Sequence, residues 1–393
     1  MNRNLWLLAI AQGLFLTNNV TFIAINGLVG LALAPLGWMA TLPVVGYVVG
    51  GALSTGLVAR SQSRLGRKAS FQIGLAVAVC SSLLCAWAVV EKNFWLLVLG
   101  TVIAGYYSAN AQLYRFAAAE LAKPTYREKA VSLVLAGGLM GAVLGPALAI
   151  NARHLLSVPF AGAYLVLGAV ALMSMATLAF ITFPPTPAVS AASGGRPLRE
   201  IMRQPVFIVS IAAASLGYGV MNLLMSATPL AMQQCNHPFE AAALVVEWHV
   251  IGMFAPGFFT GHLIRRFGAM PILWAGVALN VACIALALSG VEVMRFLAAL
   301  VLLGVGWNFL FTGGTALALQ SYRPEEKDKA QAAINFIVFA VMALSSFSAG
   351  ALVTTQGWNL LNWGSLFPVG LIALSLLWYS RWQRNTAAVA ANP

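Results

Sequence analysis

The chain has 393 residues; 60% are hydrophobic, 8% are charged, and basic side chains outnumber acidic ones by 22 to 10, a formal net charge of +12. A soluble core has no use for so much apolar sequence. The composition excludes the water-soluble classes and leaves an all-α integral membrane protein.

Windows of about 20 apolar residues, long enough to cross a hydrocarbon layer of roughly 30 Å, recur along the whole length. Twelve spans are predicted, at residues 5–33, 38–59, 69–90, 94–121, 130–152, 160–183, 206–234, 241–264, 270–290, 293–320, 330–354 and 358–382. The first lacks the short apolar core and small-residue cleavage site of a secretory signal, so it is expected to remain as a helix. With both termini in the cytoplasm, Arg60, Arg64, Arg67, Lys68, Lys123, Arg127, Lys129, Arg196, Arg199, Arg203, Arg265, Arg266, Arg323, Lys327, Lys329, Arg381 and Arg384 fall inside. Only Lys92, Arg153 and Arg295 fall outside, an asymmetry that orients the chain in its membrane. The positive charge then faces anionic membrane lipid, and no nucleic acid is needed to account for it.

Between spans six and seven, residues 184–197 are rich in Pro, Ser, Ala and Gly and show no apolar periodicity; a basic stretch, 198–204, follows. The expected division is a six-helix bundle at 1–183, a flexible cytoplasmic linker at 184–205 and a second six-helix bundle at 206–393. The halves echo each other. The basic loop after span two, Arg64 to Lys68, has a counterpart in Arg265 to Gly268, and Arg127-Glu128-Lys129-Ala130 matches Lys327-Asp328-Lys329-Ala330. Both offsets are close to 200 residues, which indicates a duplicated unit.

Spans seven and eight carry a paired motif. Met221 and Met225 are spaced i,i+4, as are His249 and Met253, so each pair shares a helical face. The intervening Cys235 to Glu240 reads as a polar turn. If the chain reverses near His237, Met225 and His249 lie 12 residues from the reversal and Met221 and Met253 lie 16, at matching depths. Thioether sulfur and neutral imidazole are soft, polarizable donors that favour Cu(I). The same residues also fit a plainer role, methionines filling an apolar core beside a hydrogen-bonded histidine. Cys235 and His237 sit at the outer turn, where they could hand a metal inward, and Glu247 could couple protons or recruit metal, although its i,i+2 spacing turns it away from the His249 face.

Over essentially its full length the chain resembles the major facilitator superfamily. The loop after span two is similar to the superfamily signature Gly-x-x-x-Asp-Arg-x-Gly-Arg-Lys in Arg64, Gly66, Arg67 and Lys68, with Ala59 at the first glycine and Ser63 at the acid. The loop after span eight keeps Gly261, Arg266 and Gly268. The resemblance implies two bundles rocking around a site near the bilayer midplane, with Asn18, Asn19, Asn110, Gln112 and Arg115 on cavity-lining spans. The missing acid puts the usual charge pairing of that loop in question.

The paired motifs on spans seven and eight further resemble the CalT group of CcoA-like copper importers, in Met221, Met225, His249 and Met253. That resemblance implies copper as transported substrate rather than cofactor, and import by alternating access to supply cbb3-type cytochrome c oxidase assembly. It also implies a cytoplasmic copper chaperone or copper-exporting ATPase as acceptor; the protein is expected to act as a monomer. Relatives in the group move riboflavin, and intact paired motifs separate the two kinds. The alternatives are an organic-solute transporter, either a riboflavin importer or a drug/proton antiporter, and a copper receptor that does not translocate. Gly137, Gly141 and Gly145 resemble an antiporter motif but equally suit close helix packing. No phosphate-binding loop or catalytic triad is present, so an enzyme is not expected.

Overall fold

A computed structural model describes residues 3–36, 39, 42–183 and 195–391. They form helices and connecting turns without a strand among the described residues, as hydrocarbon requires when every backbone N–H and C=O must be paired within its own segment. Among the described residues, eleven helical stretches are long and apolar enough to cross a membrane. One of them, Leu42–Val90, is 49 residues long and contains two spans divided at Gly66, which makes twelve among the described residues. Gly66 stands at φ 81° and ψ 170°, a corner that only glycine occupies without strain. Gly268 separates Gly257–Phe267 from Ala269–Leu288 at φ 84° and ψ 167°. The internal echo of the sequence is therefore an echo of backbone geometry. It recurs in the 3₁₀ turns Pro124–Tyr126 and Pro324–Glu326, which open spans five and eleven.

The chain divides into two compact units. The first is Met1–Val189 with Gln331–Ala343. Its helices meet backbone to backbone: a Cβ at Gly50 would lie 2.1 Å from the Val102 carbonyl oxygen, and one at Gly137 would lie 2.1 Å from that of Ala9. The glycines of span five thus serve helix packing. The polar residues of spans one and four are also largely taken up by structure, with Asn18 Nδ2 donating to the Leu167 carbonyl at 2.9 Å and Asn110 Nδ2 to that of Ser70 at 2.8 Å. Arg115, fully buried, donates to Asn335 Oδ1 at 3.0 Å.

The second unit is Ser190–Ala330 with Leu344–Pro393. Residues 184–194 of the expected linker lie outside the described residues. The rest of the linker is anchored rather than flexible, because Arg196 forms an ion pair with the buried Glu326 at 2.7 Å and Gln204 Nε2 donates to the Ser321 carbonyl at 2.6 Å. The short helix Leu198–Met202 fills the interval.

The two glycine corners make a direct prediction. Gly66→Ala and Gly268→Ala should each destabilise the detergent-solubilised protein by about 1–3 kcal/mol, lowering its thermal unfolding midpoint, whereas Gly364→Ala, where an added Cβ meets nothing within 4 Å, should not.

Candidate functional site

Span seven is built from Pro205–Ile211, a π-helical turn at Ala212–Leu216 and Gly217–Gln234. Span eight follows as Phe239–Phe254 and Gly257–Phe267, interrupted at Ala255 and Pro256. The reversal occupies residues 235–238, with Asn236 at φ 61°. Counted from the ends of the helices that flank this turn, Met225 and His249 stand about 14 and 15 Å along their axes, and Met221 and Met253 about 20 and 21 Å, at 1.5 Å per residue. The two pairs therefore stand at matching axial levels on consecutive antiparallel helices. Met221, Met253 and His249 are buried, and Met225 is half-buried.

His249 has a definite bonding state. Its Nδ1 lies 2.7 Å from the Leu300 carbonyl oxygen on span ten, Val293–Ala318. A carbonyl only accepts, so Nδ1 carries the proton and Nε2 presents a lone pair. Nε2 is buried and has no hydrogen-bond partner. A buried polar atom left unmade in this way costs about 1–3 kcal/mol. The arrangement matches the one found in metal-ligating histidines, where one ring nitrogen is fixed by a backbone carbonyl and the other is free to bind.

Span ten approaches span eight at backbone distance. A Cβ at Gly304 would lie 2.5 Å from the His249 carbonyl oxygen and 2.8 Å from the Met253 nitrogen. Beyond this contact lies an aromatic group. Trp307 stacks on Phe311 with centroids 5.0 Å apart and meets Tyr218 and Phe254 edge-on at 5.4 and 5.7 Å. Trp307 Nε1 is buried without a hydrogen-bond partner. Reading the sequence missed Leu300, Gly304, Trp307 and Asn308; the run Gly304 to Asn308, small residues leading to Trp and Asn inside an apolar helix, was the available signal.

The accessory residues have surroundings of their own. His237 lies at the outer turn, where its Nε2 is 2.6 Å from the Val291 carbonyl oxygen, and Cys235 beside it is a free, half-buried thiol. Glu247 is exposed while His249 is fully buried, as their i,i+2 spacing requires. Among the described residues no three His, Cys, Asp or Glu side chains come together as a metal site.

In the first unit, Arg67 is buried and pairs with Glu120 at 2.6 Å, while donating to Gln331 Oε1 at 2.7 Å and to Gln62. The acid absent at position 63 is thus replaced as a charge partner by Glu120; Ser63 itself is exposed and bonds the Arg60 carbonyl. Arg64 is exposed, Lys68 Nζ donates to the Ala179 carbonyl at 2.6 Å, Gly261 is buried and Arg266 lies over the Phe267 ring.

Residues 5–291 match the sequence profile of the Major Facilitator Superfamily. Over 375 residues, 95% of this chain and 94% of the other, the sequence is 38% identical to the riboflavin transporter RfnT of Brucella anthropi. It is 30% identical over 330 residues, 80% of this chain and 76% of the other, to the uncharacterized transporter YdeG of Bacillus subtilis, which is of the same superfamily type. Among solved structures, the transporter FucP in its outward conformation superposes with a TM-score of 0.77 at 15% identity, covering 96% of this chain and 98% of that one. A bacterial homologue of the iron transporter ferroportin, outward-facing, gives 0.74 at 16%, covering 97% and 100%. At such identities these likenesses concern the fold alone.

The helix contact yields a second prediction. Gly304→Ala must push spans eight and ten apart or strain them, at about 1–3 kcal/mol; a lowered unfolding midpoint relative to Gly370→Ala, which meets nothing within 4 Å, checks it.

Proposed function

The chain belongs to the Major Facilitator Superfamily, and we propose that it is a copper importer, carrying the ion as Cu(I) across the cytoplasmic membrane into the cytoplasm. The observation that carries this reading is the buried Nε2 of His249, a lone pair with no hydrogen-bond partner, one helical turn from the buried thioether of Met253. Met221 and Met225 stand at the same axial levels on the preceding helix. A soft monovalent ion satisfies such a set without needing a carboxylate. Binding is modest, with two or three ligands engaged at a time as the bundles rock, because a closed four-ligand cage would retain the ion instead of releasing it. Both termini lie in the cytoplasm, where basic loops face anionic lipid. A cytoplasmic chaperone or a copper-exporting ATPase takes the ion onward for assembly of cbb3-type cytochrome c oxidase, and the protein acts as a monomer.

A second reading, import of a flavin, is favoured by the 38% identity to a riboflavin transporter and by the aromatic group around Trp307, whose unpartnered Nε1 could donate to a planar heteroaromatic solute. The two readings ask different things of the methionines. Met225→Leu keeps the size and loses the sulfur. His249→Ala removes the imidazole.

Radiocopper uptake in cells expressing native protein, Met225→Leu or His249→Ala at matched membrane levels, with riboflavin uptake in parallel, decides between them. Copper import should fall about tenfold or more in both variants, a loss of about 1.4 kcal/mol or more in each. Uptake of riboflavin alone, or copper uptake equal in all three, sinks the copper reading. Glu247→Gln should change copper uptake less than twofold, since its side chain is exposed and lies off the His249 face.

A further inference from the structure

Span eight breaks one turn beyond the His249–Met253 pair. Pro256 has no N–H and cannot donate to the Gly252 carbonyl four residues back, so the ladder loses that rung, while Ala255 N still donates to the Ile251 carbonyl at 2.8 Å. Asn308 of span ten bonds on both sides of this break. Its Nδ2 donates to the Met253 carbonyl at 2.7 Å, and its Oδ1 accepts from Thr260 Oγ1 at 2.7 Å on the far side of the break. Thr260 Oγ1 also lies 2.8 Å from the Pro256 carbonyl. Asn308 and Thr260 are both fully buried.

Asn308 does not act alone on this face. Leu300, Gly304 and Asn308 are spaced i, i+4 and i+8, so they form one ridge along span ten. The first holds the His249 ring through its carbonyl, the second lets the backbone of the His249–Met253 turn come close, and the third holds the Met253 carbonyl. One helix face therefore fixes both residues of the pair.

We infer that Asn308 is a positioning residue for the copper site: by clamping the proline break it sets where the Met253 thioether stands relative to His249 Nε2. This inference rests on the copper reading. A carboxamide suits the task because it offers a donor and an acceptor in one plane; aspartate could accept from Thr260 but could not donate to Met253. Loss of such an outer partner costs a metal site about 10–100-fold in affinity.

The test uses full-length protein. Cu(I) affinity is measured in nanodiscs by competition with a chromophoric Cu(I) chelator, and radiocopper KM and Vmax are measured in cells at matched membrane levels. Asn308→Ala should raise Kd and KM by about tenfold while leaving Vmax per membrane copy near native. Thr260→Val, which removes only the hydroxyl, should move both in the same direction. In a Met253→Leu background neither change should have a further effect, since the clamp acts through Met253. Unchanged Kd and KM would overturn the inference, as would an Asn308→Ala effect that persists in full without the Met253 sulfur. Should Asn308→Ala fail to reach the membrane, Thr260→Val, alone and combined with Met253→Leu, tests the clamp by the same two criteria. If His249→Ala abolishes binding while Asn308→Ala binds like native, only the positioning role falls. If native protein shows no His249-dependent copper binding, the copper reading falls and takes this inference with it.

Discussion

In hydrocarbon a peptide group has no water to bond, so each interruption of a helix must be repaired by another part of the protein. This requirement governs the candidate site. Span eight is interrupted at Pro256, and Asn308 of span ten bonds on either side of the interruption, to the Met253 carbonyl and to the Thr260 hydroxyl. Span seven loosens into a π-turn at Ala212–Leu216, next to Gly314, where an added Cβ would lie 2.9 Å from the Ser210 carbonyl oxygen. Both irregular stretches therefore abut span ten, and both lie within a few turns of the Met and His pairs. Irregular backbone at membrane depth recurs at binding sites for this reason: once partly unwound, a helix needs a partner that can hold it in position.

The same economy governs buried charge. Arg67 is nearly inaccessible, and its guanidinium is surrounded by Glu120, Gln62 and Gln331. Glu326, wholly buried, accepts from the backbone and side chain of Arg196 and from the Arg323 nitrogen. A charge so far from water persists only where oppositely charged and hydrogen-bonding groups replace its hydration, and removing one partner strands the other. The superfamily signature loop illustrates this. Its acid is missing at Ser63, yet its arginine keeps an ion pair because Glu120, more than fifty residues away in the chain, supplies the carboxylate.

Not every buried polar atom is met in this way: in the second unit His249 Nε2, Trp307 Nε1, Asn280 Oδ1 and Thr312 Oγ1 have no hydrogen-bond partner. Some hydroxyls in the buried spans bond back to their own helices, as Thr228 does to the Leu224 carbonyl and Thr315 to that of Phe311. An unmet lone pair can take a soft cation or accept from an N–H or O–H, such as the ring imide and side-chain hydroxyls of a flavin. Trp307 Nε1, within the aromatic group, is an unmet donor.

By itself the sequence determined what depends on one helix at a time. Twelve spans follow from apolar length against bilayer thickness, the duplicated halves from the fixed offset of the basic loops, and the matching levels of Met221, Met225, His249 and Met253 from i,i+4 spacing on either side of a short turn. Those features were legible because hydropathy and helical periodicity are local to a segment. The partners were not. That Leu300 fixes the His249 ring, that Gly304 admits the His249–Met253 turn, that Glu120 stands in for the absent acid, and that residues 331–343 group with the first unit are contacts between helices far apart in the chain. Such contacts depend on which ridges meet across two packed surfaces, which no single segment encodes, and only the tertiary structure decided them.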